Sequence, residues 1–274
     1  MVRGALVAVC GLALAAAVAG CGGGKSDAAP ITTVRQLRQF RIVFPEGFTR
    51  AQMAERVQAV AKIAKHESHR GVKLSAQGYL AATAKPRTVA GFGSAKQPLE
   101  GFLFPDTYNF DRKSTAAQLA GMQLAEFGAK WSTVDLSYAR SKNLTPYDVL
   151  TIASMVEGEA QVSKERPLIA AVIYNRLHDH MPLGIDATLR YGLHIPPTQS
   201  LTQSELQNPT PYNTRLHDGL PPTPINNPGL AAIDAAAHPA KVDYLYFVRK
   251  PDHKHHYFTS NYQDFLQHEA EYGY

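Results

Sequence analysis

The chain has 274 residues, 45% of them hydrophobic, and a formal net charge of +5, enough for a real core or for one large and one small domain. The mild basic balance suits an anionic polymer or a membrane surface, and with no basic run interleaved with aromatics it gives no ground for a nucleic-acid partner. Its two cysteines are Cys10 and Cys21, so the body of the chain has no disulfide, thiol nucleophile or cysteine-ligated metal.

The opening, MVRGALVAVCGLALAAAVAGCGGGKSD, places Arg3 before an apolar run, Ala5 to Ala19, that is too short to span a bilayer comfortably. Val18-Ala19-Gly20-Cys21 resembles the lipobox of bacterial lipoproteins, in which cleavage precedes the cysteine and the cysteine carries the lipid. The expectation is a lipoprotein-type signal peptide over 1–21, lipidated at Cys21, with an uncleaved N-terminal membrane anchor as the alternative. Either one holds the remainder at the extracytoplasmic face of a membrane. Residues 22–34 read as a flexible linker.

Phe40 to Phe44 is short and apolar enough for a strand, and Pro45-Glu46-Gly47 makes a turn. Thr49 caps a helix to about Lys65, with Met53, Val57, Val60 and Ala61 on one face. Lys73 to Gln97 reads as a helical turn plus a connector, which places a small packing module and its connector at 35–97. At Leu99 the texture changes: LEGFLFPDTYNF is dense in aromatics, with a turn at Pro105-Asp106. Such a run is core by default, and otherwise the wall of a sugar site. Ser114 to about Lys130 and Leu136 to Ser141 are helical.

Thr145 to Ala160, TPYDVLTIASMVEGEA, reads as one helix that ends in two carboxylates. Thr145 is the N-cap, Pro146 fits the first helical position, and Asp148 answers the cap. Val149, Leu150, Ile152, Ala153 and Val156 make an apolar face, and Glu157 and Glu159 flank it at the end where the helix dipole disfavours negative charge. A carboxylate beside apolar side chains is desolvated and its pKa rises, as a general acid requires. Solvated surface glutamates would show the same spacing, and periodicity does not choose between the two.

Ser163 is the expected cap of a second helix, KERPLIAAVIYNRLHDH, with Leu168, Ile169, Val172, Ile173 and Leu177 buried and Asn175 and Arg176 among them. MPLGIDATLRYGL is turn-rich and clusters Asp186, Thr188 and Tyr191. A long loop rich in Pro, Gly and Asn then runs to a short helix from about Leu230; long ordered loops tend to carry function. Tyr244 to Val248 is a strand, His253 to Ser260 a hairpin return, and Tyr262 to Glu271 a final helix.

These blocks, taken together and in order, resemble the endolytic murein transglycosylases (YceG-like). FPEGFT (Phe44 to Thr49), LEGFLFPDTY (Leu99 to Tyr108), ASMVEGEA (Ala153 to Ala160) and IAAVIYNRL (Ile169 to Leu177) carry the first half. MPLGIDATLRYG (Met181 to Gly192), YNTRLHDGLPPTPINNPG (Tyr212 to Gly229), HPAKVDYLYFV (His238 to Val248) and HYFTSNYQDF (His256 to Phe265) carry the second. The resemblance covers about Arg41 to the C-terminus. It implies an α+β fold in which a small LysM-like module precedes a larger mixed α+β lytic transglycosylase domain over 98–274. It also implies cleavage of the MurNAc–GlcNAc glycosidic bond within peptidoglycan strands to give 1,6-anhydromuramoyl ends, without a cofactor.

The resemblance assigns acid and base to Glu159, with Glu157 as a supporting neighbour. It makes Asn175, Asp186, Thr188, Tyr191, Tyr212, Asn213 and Thr214 candidates for the substrate cleft. A loop held by its own side-chain hydrogen bonds would account equally for the Tyr-Asn-Thr run. Termination of nascent strands and partnership with cell-wall synthases are further implications. Two positions depart from the pattern: Gly158 where many relatives carry lysine, and Ala187 in place of a common proline.

Three other classes compete. A metal hydrolase would use His253, His255 and His256, but no companion carboxylate stands at a recognised spacing, and no metal site is expected. A non-catalytic peptidoglycan-binding lipoprotein would suit the small module and the basic charge. A solute-binding lipoprotein would need two similar lobes, and the chain has no internal repeat.

Overall fold

The computed structural model describes residues 37–273; the expected signal peptide, Cys21 and the linker lie outside the described residues. β1 (Phe40–Val43) buries Ile42 and turns Arg41 and Val43 outward, the alternation of a one-sided strand. It pairs antiparallel with β2 (Thr107–Phe110), Ile42 opposite Tyr108. Between the two strands run α1 (Arg50–Ser68) and α2 (Ala76–Thr83). Thr49 caps α1 in a capping box with Gln52, and Met53, Val57 and Ala61 are buried as the periodicity predicts.

This β-α-α-β unit has its own core, with Phe44, Met53, Tyr79, Leu103 and Phe110 at its centre. Leu119 and Ala120, from α3 (Ala116–Trp131), complete it. The expected boundary at residue 97 thus falls between the two strands of one sheet. Phe102, Leu103, Phe104 and Phe110 are all buried, so the aromatic run is core.

The second core surrounds α5 (Pro146–Glu159), which follows the short α4 (Ser137–Ser141). Thr145 and Asp148 form the predicted capping box and Pro146 opens the helix. Every residue from Val149 to Val156 is buried, so α5 has no solvent face where one apolar stripe was expected. Its polar residues are satisfied internally: Thr151 Oγ1 donates to the Tyr147 carbonyl at 2.9 Å and Ser154 Oγ to the Thr151 carbonyl at 2.7 Å. α6 (Arg166–His178) packs along it. That helix starts at Arg166 and not with Ser163 as its cap: Ser163–Glu165 form a single 3₁₀ turn, and Pro167 fits the first turn that follows.

The segment expected to be turn-rich contains a helix, α7 (Asp186–Leu193), with Thr188 and Leu189 buried and His194 ending it in the left-handed conformation. After α8 (Gln203–Leu206), the alanine-rich α9 (Leu230–Ala237) lies closely against α5. β3 (Tyr246–Arg249) and β4 (His256–Thr259) form a second antiparallel pair, and α10 (Tyr262–Tyr272) covers one side of it. The fold is mixed α+β. No helix among the described residues is long and apolar enough to cross a membrane.

Candidate active site

α5 emerges from the large core at its C-terminal end and delivers Glu159 there, its side chain only 12% exposed. Burial pushes this carboxyl above the usual range. Arg249 of β3 pulls it back, Asp186 pushes it up, and the Ala187 N–H and Arg190 of α7 pull it down. Arg249 Nη2 lies 3.8 Å from Glu159 Oε2. A desolvated carboxyl with one cation and one backbone donor beside it is equipped to release a proton and to take one back. Residue 158 has no side chain where α7 approaches: a Cβ there would stand 3.3 Å from the Ala187 Cβ, a tight contact that α7 would have to relieve by a small shift. The two positions that depart from the resemblance therefore face each other.

Glu157 has different company. Its Oε2 accepts from the Gly229 N–H at 3.1 Å, at the start of α9, and its Oε1 lies 3.6 Å from Arg166 Nη2. Burial raises its pKa, with Gly229 and Arg166 lowering it and Glu46 raising it. Arg166 also reaches Glu46, at 4.0 Å. A Cβ on Gly229 would overlap the Glu46 carboxylate where it lies, so a side chain there would make this half-exposed group swing aside. The two glutamates that helical spacing leaves equivalent are separated by their partners.

Of the other sequence-predicted residues, Asp186 and Thr188 lie on α7, which packs against α5. Asp186 is engaged by Arg215, whose Nη2 is 2.6 Å away. Thr188 and Thr214 are buried with their hydroxyls 3.0 Å apart, and Thr214 Oγ1 accepts from the Ile185 N–H at 3.0 Å; together they fix the start of α7. Tyr191 sets its ring edge-on to Tyr212, centroids 5.1 Å apart, and donates to Glu100 at 3.1 Å. The Tyr212 hydroxyl meets Thr223 at 2.8 Å.

Asn213 is fully buried, its amide donating to the carbonyls of Leu206 and Asn208, which holds the loop by its own side chain. Asn175 donates to the carbonyls of Val242 and Tyr244 at 3.0 and 2.9 Å and lines a separate groove with Tyr138 and Tyr174. It secures the approach to β3. Neighbouring Arg176 binds the carbonyls of Leu245 and Leu183, at 2.6 and 2.8 Å, and so ties β3 to the lead-in of α7.

Sequence reasoning missed Arg249, Arg166 and Glu100. Glu100 is 6% exposed and accepts from the Arg50 N–H and Asn227 Nδ2, both at 2.8 Å, and from Tyr191. Burial pushes its carboxyl up to about 7 against these donors and the Arg50 charge. The LEGF block was the available signal, an acid set in an apolar run.

The histidines diverge: His255 Nδ1 meets Asp252 at 2.7 Å and the buried His256 Nδ1 meets Glu165 at 2.8 Å. Among the described residues no three His, Cys, Asp or Glu side chains are grouped to hold a metal.

A profile of the YceG-like family matches residues 24–271. The chain is 34% identical over 219 residues to an endolytic murein transglycosylase of Bacillus subtilis, covering 77% of this chain and 59% of that protein. It is 32% identical over 250 residues to an endolytic murein transglycosylase of Streptococcus pneumoniae, covering 84% of this chain and 44% of that one. The chain thus spans only about half the length of these relatives. Its fold is similar to the crystal structure of a yceG-like protein from Listeria monocytogenes, with a TM-score of 0.67 and 30% identity, covering 83% of this chain and 74% of that one.

Proposed function

This chain belongs to the YceG-like family, and from that premise we propose that it is an endolytic lytic transglycosylase of peptidoglycan. The bond cleaved is the MurNAc–GlcNAc glycosidic link within a strand. Protonated Glu159 gives its proton to the leaving oxygen as the C1–O bond breaks. The muramoyl C6 hydroxyl bonds to C1, and its proton passes to the Glu159 carboxylate, which restores the acid. The products are a free hydroxyl on one fragment and a 1,6-anhydromuramoyl end on the other, with no water consumed.

The observation that carries this reading is a single available carboxyl. Glu159 is desolvated at a helix end with Arg249 and the Ala187 N–H beside it. Glu157 is bound by Gly229 and Arg166, and Asp186 by Arg215. A two-carboxylate glycosidase needs its second acid free as nucleophile or base. The Tyr191–Tyr212 pair is a wall on which a sugar ring can lie.

Digestion of purified peptidoglycan, with products identified by mass, tests the reading. Anhydro ends, lighter than reducing ends by one water, are expected from the wild type and from Glu157→Gln and none from Glu159→Gln. Reducing ends would put water in the nucleophile's place, with Asp186 as the residue to examine. Binding of the polymer without products would favour a peptidoglycan-binding lipoprotein.

The β-α-α-β unit, with its own core, we read as the LysM-like module that presents the strand. Substitutions on its exposed face should weaken retention on peptidoglycan without changing the product. Cys21 is the proposed lipid attachment point at the extracytoplasmic face of the membrane; incorporation of labelled fatty acid should vanish in Cys21→Ser. A role in ending nascent strands predicts longer glycans in cells carrying Glu159→Gln, and cross-linking from the membrane-held chain should then recover cell-wall synthases.

A further inference from the structure

We propose that Arg249 is a positioning residue acting through Glu159: its guanidinium stabilises the carboxylate that exists between departure of the proton and its return. The proposal rests on the transglycosylase reading. That mechanism leaves Glu159 charged in a desolvated place for part of each cycle, and a buried charge needs a partner.

Arg249 closes β3 and stands opposite His256 in the ladder. The strand pair is fixed from several sides. The His256 N–H and Nδ1 both meet the Glu165 carboxylate, at 3.1 and 2.8 Å, and the Lys250 N–H donates to the His255 carbonyl at 2.8 Å. Asn175 and Arg176 hold the chain that enters β3. The guanidinium therefore projects from an anchored strand, 37% exposed, with Glu159 at 3.8 Å.

That separation is too long for a hydrogen bond and short enough for strong charge coupling. A tight bidentate pair would hold Glu159 ionised and unable to act as acid. Without any cation the group would stay protonated and unable to act as base. The spacing lies between these limits.

The other charged groups around Glu159 are already engaged. From α7, Asp186 is paired with Arg215, and Arg190 donates to the carbonyls of Pro196 and Gln199. From α5, Glu157 is met by Arg166. His256, beside Arg249 on β4, is held below the ordinary histidine range by burial, with Glu165 opposing, so near neutral pH it does not add a second positive charge. Arg249 is therefore the cation that stands nearest Glu159 when it loses its proton, at 3.8 Å, with Arg190 adding a smaller pull from α7.

The test is the pH profile of kcat/KM on purified glycan strands for wild type, Arg249→Met and Arg249→Lys. A parallel ¹³C titration follows the Glu159 carboxyl, its resonance assigned by loss in Glu159→Gln. Activity falls on the alkaline side as Glu159 ionises, so loss of the cation should move that limb upward, by about one pH unit for a partly exposed neighbour. The Glu159 resonance should move with it, and Arg249→Lys should restore both. Anhydro products from the wild type, with limb and resonance unmoved in Arg249→Met, would overturn this proposal alone. Equal losses in the Met and Lys variants without any movement of the limb would also overturn it, leaving Arg249 a scaffold residue. No anhydro product from the wild type would instead overturn the transglycosylase reading.

Discussion

At the scale of single residues, the same burial that equips Glu159 for proton transfer costs the fold stability. Its pKa is raised in the folded state, so its contribution is fully present below the ordinary glutamate range and is lost as pH rises through the folded value. Glu159→Gln should abolish product formation, by at least about 10²-fold for loss of a general acid. It should also melt higher than wild type at pH 8 and show little difference at pH 4, as thermal melts across pH would report. Gly158→Ala should crowd Ala187, push the start of α7 outward and lower kcat with little change in the melting temperature. Circular dichroism melts run beside a product assay would separate the two effects. Periodicity placed both glutamates correctly and stopped there. What distinguishes them is Gly229 and Arg166 on one side and Arg249 and Ala187 on the other. Gly229 and Arg249 are distant along the chain, Ala187 sits on a helix that local pattern did not reveal, and Arg166, though near in sequence, comes back only through the turn between α5 and α6.

Elements whose ends are set locally were the legible ones. The capping boxes at Thr49 and Thr145 join residues three apart, and the helices begin where the sequence says. α7 was hidden because its start is held by Thr214 and Arg215 from the long loop. Over its eight residues only Thr188 and Leu189 are buried, too little to show a period. Glu100 gathers three such pieces: the start of α1, the loop at Asn227, and α7 through Tyr191. With its pKa raised to about 7, it favours the folded state below the ordinary glutamate range and gives up that contribution as pH climbs to about 7. The drop is about 3 kcal/mol by pH 8. Glu100→Gln keeps an acceptor for Arg50 and Asn227 and can donate to the Tyr191 oxygen. Denaturant melts at several pH values should therefore show a shallower decline in stability for this variant than for wild type.

Over the whole molecule, hydrophobic patterning did not show the seam between the two cores, since Leu103, Phe110 and Leu119, beyond the expected boundary, belong to the first of them. Asn227 is fully buried and stitches that seam. Its side chain donates to the Phe48 carbonyl and Glu100 and accepts from the Leu103 N–H, while its backbone exchanges bonds with Gly47 and Phe48. Asn227→Ala should leave buried polar groups without partners at about 1–3 kcal/mol each. Calorimetry should then show two transitions for this variant, the β-α-α-β unit melting first, where one is expected for the wild type. The same stitch bears on how such a chain can be inherited. A recombination event that exchanged the first hundred or so residues for those of a cousin would sever Asn227 from Phe48, Glu100 and Leu103 at one stroke. Phe48 and Leu103 meet Asn227 through their backbones, and any residue there supplies the same groups. The surviving hybrids should therefore be those in which donor and recipient had already settled on the same side chains at positions 100 and 227, and these two parts of the gene are expected to travel together.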